Sequence, residues 1–245
     1  MKLTKKVVLI TGGSSGIGKA MVMAFAREGC NIIFTYHAKQ KESQALVTEI
    51  EKLGLRALAV KVDLHSEDDM AALFKRVREE FQTLDILINN AGINRPRDLF
   101  ATADWKEIFQ VNVFAAVFCT GKAIELMEHG GKIINISSVY ADGKACWKGL
   151  PAYGASKAAI SHFTQTLAKN LAPKILVNAI APGFVKTPLW QDTSEAEFEK
   201  SGNDQLIERM ILPEEIADMA VAVAKNDAMT GEVVVVDGGI SLKTV

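Results

Sequence analysis

The sequence is poor in the residues that build metal centres, disulfide frameworks and charged docking surfaces. It has three cysteines, Cys30, Cys119 and Cys146, far apart and odd in number. That argues against a disulfide framework and suits a reducing compartment. The four histidines, His37, His65, His129 and His162, are scattered, so no metal site is expected. The 28 basic and 29 acidic residues are interleaved and nearly cancel, leaving a formal net charge of -1. Nothing in that balance attracts nucleic acid or an anionic membrane. No apolar run approaches a membrane span, and after the basic start the run VVLI is too short for a signal peptide. A soluble, cytoplasmic protein is expected.

What is present is apolar material in short pieces. Hydrophobic residues make up 49% of the 245, enough to fill a sizeable core. Strand-like runs at 7–11, 31–36, 57–62, 84–88, 132–136, 175–180 and 232–236 alternate with helical patterns. The helical patterns cover 16–28, 41–53, 66–81, 104–128, 151–171 and 213–224. Gly29 and Gly54 stop the first two, Ser66 with Asp69 predicts a capped start, and Pro213 suits a first turn. Nearly continuous apolar strands are buried on both faces, and their alternation with helices implies a parallel sheet covered on each side. Right-handed crossovers make this an α/β, Rossmann-type doubly wound fold with a central sheet of about seven strands and helices on both faces. No linker, composition shift or repeat divides the chain, so residues 1–245 are expected to form a single domain. The longest irregular segment is 181–212, and 183–212 is the candidate substrate loop.

The stretch LITGGSSGIGKAM, residues 9–21, admits two readings. From Gly13 it is G-x-x-x-x-G-K, the front of a P-loop. That motif needs Ser or Thr after its lysine to ligate magnesium, and Lys19 is followed by Ala20. Asp63 is the one acid that could be nominated to hold the metal, and nothing else supports it. From Gly12 the stretch is a dinucleotide turn. Gly12 reverses the strand, Gly16 opens the helix, and Gly18 allows close approach in the first turn, with a pyrophosphate on the helix N-terminus. The spacing is a variant, since the usual G-x-G-x-x-G would place its third glycine at Met21.

With the motifs further along, the chain resembles the short-chain dehydrogenase/reductase family, in its 3-oxoacyl reductase and glucose dehydrogenase-like branch. T-G-x-x-x-G-x-G is matched by Thr11, Gly12, Gly16 and Gly18, and N-N-A-G by Asn89, Asn90, Ala91 and Gly92. VNV contains Asn112, NISSV contains Ser138, and Y-x-x-x-K is Tyr153 and Lys157. Pro182-Gly183 with Thr187, and the D-G-G at Asp237, Gly238 and Gly239, complete the family's order over almost the whole chain. The resemblance implies hydride transfer between a nicotinamide cofactor and a carbonyl or secondary alcohol. It names Asn112, Ser138, Tyr153 and Lys157 as catalytic. It carries cofactor contacts onto Gly12, Ser14, Ser15, Gly16, Ile17 and Gly18. Further along these fall on Tyr36 and His37, on Asp63 and Leu64 beside the adenine, and on Asn90, Ala91 and Gly92. The last are Tyr153, Lys157, Pro182, Gly183, Val185 and Thr187. Ser138 and Tyr153 are further apart than in most members, which keeps Ser137 as a rival. The segment 224–232 is compressed, which leaves the outer sheet edge open.

The chemistry follows from the residue types. Tyr153 and Lys157 are four apart and share a helix face. A free phenol has a pKa near ~10, and an adjacent ammonium is expected to lower it. The tyrosine then takes a proton from an alcohol or returns one to a carbonyl. Ser138 orients the substrate oxygen. By resemblance, Asn112 is a polar kink that holds a water near Lys157, and Lys157 also binds the nicotinamide ribose. No Ser-His-Asp set suggests hydrolysis.

The second strand ends in Thr35-Tyr36-His37-Ala38-Lys39, without the acid that selects NAD. His37 and Lys39 favour NADP(H), whereas Ser15 stands where many NADP-preferring relatives carry a base, so NAD(H) remains the alternative. Leu189, Trp190 and Phe198 in the substrate loop, with Trp147, suit an apolar or mixed carbonyl compound. A 3-oxoacyl thioester on acyl-carrier protein or coenzyme A is the first expectation. Glucose, polyols and small ketones are the alternatives, and a non-catalytic cofactor-binding sensor or scaffold is the rival of another class. Lys132, Lys148, Lys169 and Lys174 are candidates for a basic patch at the entrance. The resemblance also implies a homotetramer built through the two long helices and the last strand.

Overall fold

The structure, a computed structural model, describes residues 1–94, 99–142, 149–190 and 193–243. Among these, seven strands form one sheet: β1 (Val7–Ile10), β2 (Asn31–Tyr36), β3 (Ala57–Lys61), β4 (Ile86–Asn89), β5 (Gly131–Ile136), β6 (Ile175–Pro182) and β7 (Val233–Val236). The order is β3-β2-β1-β4-β5-β6-β7, and every pair is parallel. The helices are α1 (Gly16–Arg27), α2 (Gln40–Glu51), α3 (Glu67–Phe81), α4 (Thr102–Phe109), α5 (Ala115–Ile124), α6 (Pro151–Leu171), α7 (Glu195–Asn203) and α8 (Pro213–Lys225).

Residue alternation divides the core into two layers. Val8 and Ile10 of β1 join Ile86, Ile88 and Ile134 beneath α1, α2 and α8. Val7 and Leu9 join Leu87 and Ile133 beneath α3, α5 and the far end of α6. Because β1 is apolar at all four positions, it supplies both layers. Ser66 caps α3, accepting from the Asp69 N–H at 3.1 Å, as its spacing predicts.

Three expectations are corrected. The helical stretch at 104–128 is interrupted between α4 and α5 by a π-helical turn, Gln110–Phe114. The run Thr102–Ile124 is by length and composition sufficient to cross a membrane, although the sequence shows no such unbroken run; half of its apolar window is buried in the fold, where α4 packs on α6 and α5 on α3. The segment 181–212 is not irregular throughout. It holds a 3-10 turn at Pro188–Trp190 and α7, which a Ser194–Glu197 capping box opens. A parallel bridge between Val185 and Ile211 closes it at its base.

The compressed segment 224–232 completes the outer edge. Asn178 on β6 donates to the Met229 carbonyl at 2.9 Å and accepts from the Glu232 N–H at 3.1 Å. This short tether brings β7 into register with β6.

Ser66→Ala removes the α3 cap. Chemical denaturation should show a loss of about 1 kcal/mol; wild-type stability would mean that Glu67, Asp68 and Asp69 stabilise this helix end without it.

Candidate active site

The strand order reverses between β1 and β4, so a crevice opens beyond their carboxyl ends. Two loops meet there. Asn90 donates from Nδ2 to the carbonyls of Thr11 and Gly12, at 2.9 and 3.2 Å. Thr11 Oγ1 accepts from the N–H groups of Asn90 and Ala91, at 3.0 and 3.1 Å. Gly12 adopts φ +68°, open to glycine at little strain, and donates to Thr35 Oγ1 at 3.0 Å. A Cβ on Gly18 would overlap the Gly12 carbonyl oxygen, so the loop closes only with glycine there. Ser14, Gly16 and Ile17 are half-buried around it. Ser15 is the N-cap of α1, but its side chain makes no capping bond, which leaves the helix N-terminus to a ligand. This cradle fits a dinucleotide pyrophosphate.

The other predicted cofactor contacts border the same crevice. Tyr36 is half-buried at the end of β2, and His37 and Lys39 are exposed beyond it. Leu64 lines the cavity behind the site. The Asp63 carboxylate is engaged by His65, whose N–H and Nδ1 lie at 2.9 Å, and those bonds lower its pKa. Pro182 is buried at the end of β6, and Gly183 donates to the Val236 carbonyl at 3.0 Å. Val185 is buried, and Thr187 lies against the glycine loop, 3.2 Å from where a Gly16 Cβ would stand.

The four candidate catalytic residues come from the turn after β5, the π turn and α6. Lys157 is 4% exposed, and its Nζ donates to the Ile136 carbonyl at 2.7 Å while lying 5.7 Å from the Tyr153 ring centre. Ser138 shares a hydrogen bond with Tyr153. Ser137 instead donates to the Lys157 carbonyl at 3.0 Å and pairs with Ser161 at 2.7 Å, so it faces α6. The geometry thus turns Ser138, and not Ser137, towards the tyrosine. Gly92 covers the centre: a Cβ there would stand 3.3 Å from Asn112 Oδ1 and 3.4 Å from Lys157 Nζ.

One expected detail is revised. Burial pushes the Tyr153 pKa up, with the Ser138 hydrogen bond pulling the other way. Burial also lowers Lys157, to about 8, and the causes that set Tyr153 are burial and Ser138 rather than the lysine. Burial thus favours the neutral phenol, whereas a lysine near 8 still carries its proton at neutral pH. The Asn112 carboxamide is also tied to its neighbours, which leaves its oxygen and main-chain carbonyl as the acceptors for a water. Its Nδ2 donates to the Ile93 carbonyl and Ser156 Oγ, both at 3.0 Å, and its Oδ1 accepts from the Ile93 N–H at 2.8 Å. It locks the loop after β4 onto α6.

An aromatic wall that sequence reasoning only partly foresaw borders Tyr153. Tyr140 packs edge-on to Tyr153 at 5.7 Å and tilted to Phe184 at 6.5 Å. Phe184 meets Trp190 at 5.6 Å, and Trp190 meets Phe198 at 6.1 Å. Gln205, fully buried, anchors this wall by accepting from the Phe184 N–H at 3.0 Å and donating to its carbonyl at 3.3 Å. Nothing in the local pattern distinguishes that glutamine from a surface one. Trp147, Lys148 and Cys146 lie outside the described residues.

Three of the four lysines proposed for a basic patch lie away from the entrance. Lys132 is buried at the start of β5 and pairs with Asp227 at 2.8 Å. Lys169 lies sixteen residues beyond Tyr153, about 24 Å along α6, and Lys174 immediately precedes β6. All three lie at the edge of the sheet opposite the crevice.

A model of the short chain dehydrogenase family matches residues 6–197. The 3-oxoacyl-[acyl-carrier-protein] reductase FabG of Aquifex aeolicus (strain VF5) is 36% identical over 249 residues, covering 98% of this chain and 99% of that protein. A blue fluorescent protein from a metagenomic library, solved with NADPH, superposes with a TM-score of 0.92 at 32% identity, covering 98% and 99% of the two chains. L-sorbose reductase from Gluconobacter frateurii, solved with NADPH and L-sorbose, gives 0.90 at 31% identity over 100% of both. The doubly wound sheet, the glycine cradle and these relatives lead to one conclusion: the chain belongs to the short-chain dehydrogenase/reductase family and is an NAD(P)-dependent oxidoreductase.

Proposed function

We propose that the protein is an NADP(H)-dependent reductase of 3-oxoacyl thioesters, with residues 1–245 acting as one dinucleotide-binding and catalytic unit. The observation that carries the chemistry is the Ser138–Tyr153 hydrogen bond beside buried Lys157, at the mouth of the glycine cradle. The cradle, with Asn90, Ala91, Gly92 and Thr187 around it, would hold the cofactor, which supplies the hydride. Ser138 holds the substrate carbonyl oxygen, and Tyr153 gives it a proton. A tyrosine whose pKa is raised by burial stays protonated at neutral pH, which suits the reductive direction. Lys157 contributes its ammonium to the same centre, and Asn112 fixes the loop above it.

The wall of Tyr140, Phe184 and Trp190 suits an apolar acyl chain, and the similarity to FabG supports the thioester. Lys132, Lys169 and Lys174 stand away from the crevice, and the aromatic wall makes the acyl group the recognised part in this reading. The likeness to L-sorbose reductase favours a second reading, a ketose or polyol substrate. Free, buried Cys30 and Cys119 accord with a cytoplasmic location.

Tyr153→Phe should lower kcat on acetoacetyl-CoA by at least about 100-fold and leave NADPH binding, followed by fluorescence, intact; retained turnover would refute the acid assignment. Faster reduction of L-sorbose than of acetoacetyl-CoA by the wild type would select the second reading. With His37 and Lys39 exposed beyond β2 and no carboxylate there, the KM for NADPH should lie below that for NADH; equal values would overturn the preference. Phe114 and Val117 on the helical side and Val235 and Leu242 at the β7 edge expose apolar surface on two separate faces. Light scattering should therefore find a homotetramer, and a monomer would contradict it.

A further inference from the structure

We propose that Asn89 is a positioning residue for Lys157, acting through a water molecule held between its carboxamide oxygen and the lysine ammonium. The argument begins with a chain of buried side chains that starts on the helix carrying Lys157. Thr164 donates its hydroxyl to the Ile160 carbonyl at 2.8 Å. A hydroxyl has one proton, so Thr164 Oγ1 accepts from Asn135 Nδ2 at 2.9 Å. That fixes the Asn135 amide, whose Oδ1 accepts from Asn89 Nδ2 at 2.9 Å. Asn89 Nδ2 gives its other proton to Thr120 Oγ1 at 3.1 Å.

The chain therefore runs in one direction, and the Asn89 amide cannot reverse without placing its oxygen against the Asn135 oxygen, acceptor against acceptor. It ends on Asn89 Oδ1, a buried acceptor that receives no hydrogen bond from the described residues. Leaving such a group unmet is costly. Asn89 lines a narrow cavity together with Lys157, Asn112, Thr11, Val111 and Cys119, and the cavity has room for about one water molecule. An ammonium has three protons, and Lys157 directs one to Ile136. A water there accepts from Lys157 and donates to Asn89 Oδ1, answering both needs at once.

The electrostatic consequence is specific. The ionisable groups facing Lys157 are Tyr153 on its own helix and Cys119 on α5, and burial holds that thiol neutral by raising it to about 12. The β-strand, loop and π-turn residues described around the cavity present no carboxylate or histidine. Asn89 thus supplies the inner negative dipole that favours the charged lysine, without adding a charge. This rests on the proposed catalytic use of Lys157, whereas the water itself can be tested apart from activity.

A high-resolution crystal structure of the ligand-free protein should show one water within hydrogen-bond distance of both Asn89 Oδ1 and Lys157 Nζ. A dry cavity, or a water touching only one of them, would overturn the proposal whatever the variants do. Asn89→Asp places a negative charge across that water and favours the ammonium. The alkaline limb of the kcat profile, where Lys157 loses its proton as pH rises, should move up by about one unit. Thr120→Val breaks the same network away from the cavity and should lower the melting temperature without moving that limb. If Asn89→Asp also changes only the melting temperature, Asn89 is structural and the positioning role is wrong. Activity surviving in Tyr153→Phe would defeat the functional reading alone, since the bridging water would remain.

Discussion

A sheet of parallel strands has no face that can be left in water, and the other features of this protein follow from that requirement. Each strand must be apolar on both sides, so Val8 and Ile10 pack one way while Val7 and Leu9 pack the other. Helices must cover both layers, and each crossover delivers a loop to the carboxyl edge of the sheet. With β1 and β4 adjacent but their crossovers departing in opposite directions, two of those loops part and leave a crevice. The site lies where the packing rule cannot be met by another helix.

The crevice is narrow because its two walls hold one another. Asn90 reaches across to the Thr11 and Gly12 carbonyls, and Thr11 answers with its hydroxyl. Gly18 allows the α1 N-terminus to come down onto Gly12. On the opposite side, Asn112 ties the loop after β4 to α6 through Ile93 and Ser156. The cradle and the Tyr153–Lys157 helix are joined by buried hydrogen bonds rather than by flexible chain. Burial raises Tyr153 and lowers Lys157 to about 8, shifts that an ordinary surface Tyr–Lys pair would not carry.

Much of this was legible beforehand. The strand and helix order, the Ser66 cap and the glycine turn follow from local patterns in which each residue acts on its near neighbours. The candidate catalytic set was named by motif, and the structure brings Ser138, Tyr153 and Lys157 together. The parts that were not legible depend on partners distant in sequence. Gln205 is an anchor only because Phe184 stands beside it, and Lys132 is a buried ion pair only because Asp227 arrives from the far end of the chain. The π turn could not be read from QVNVF, and α7 was lost in a segment whose apolar residues are few.

By itself, the sequence determined which segments are strands and helices, where the chain must turn, and which residue types are available for acid–base work and cofactor binding. Those properties are set by periodicity, by backbone freedom and by side-chain chemistry, all of them local. Only the tertiary structure decided which serine faces Tyr153, that burial outweighs that serine in setting the tyrosine, and that Asn89 ends a one-way hydrogen-bond chain beside Lys157. Solvent exclusion and the direction of a buried hydrogen bond depend on every neighbour at once, and those neighbours come from strands and helices far apart in the chain.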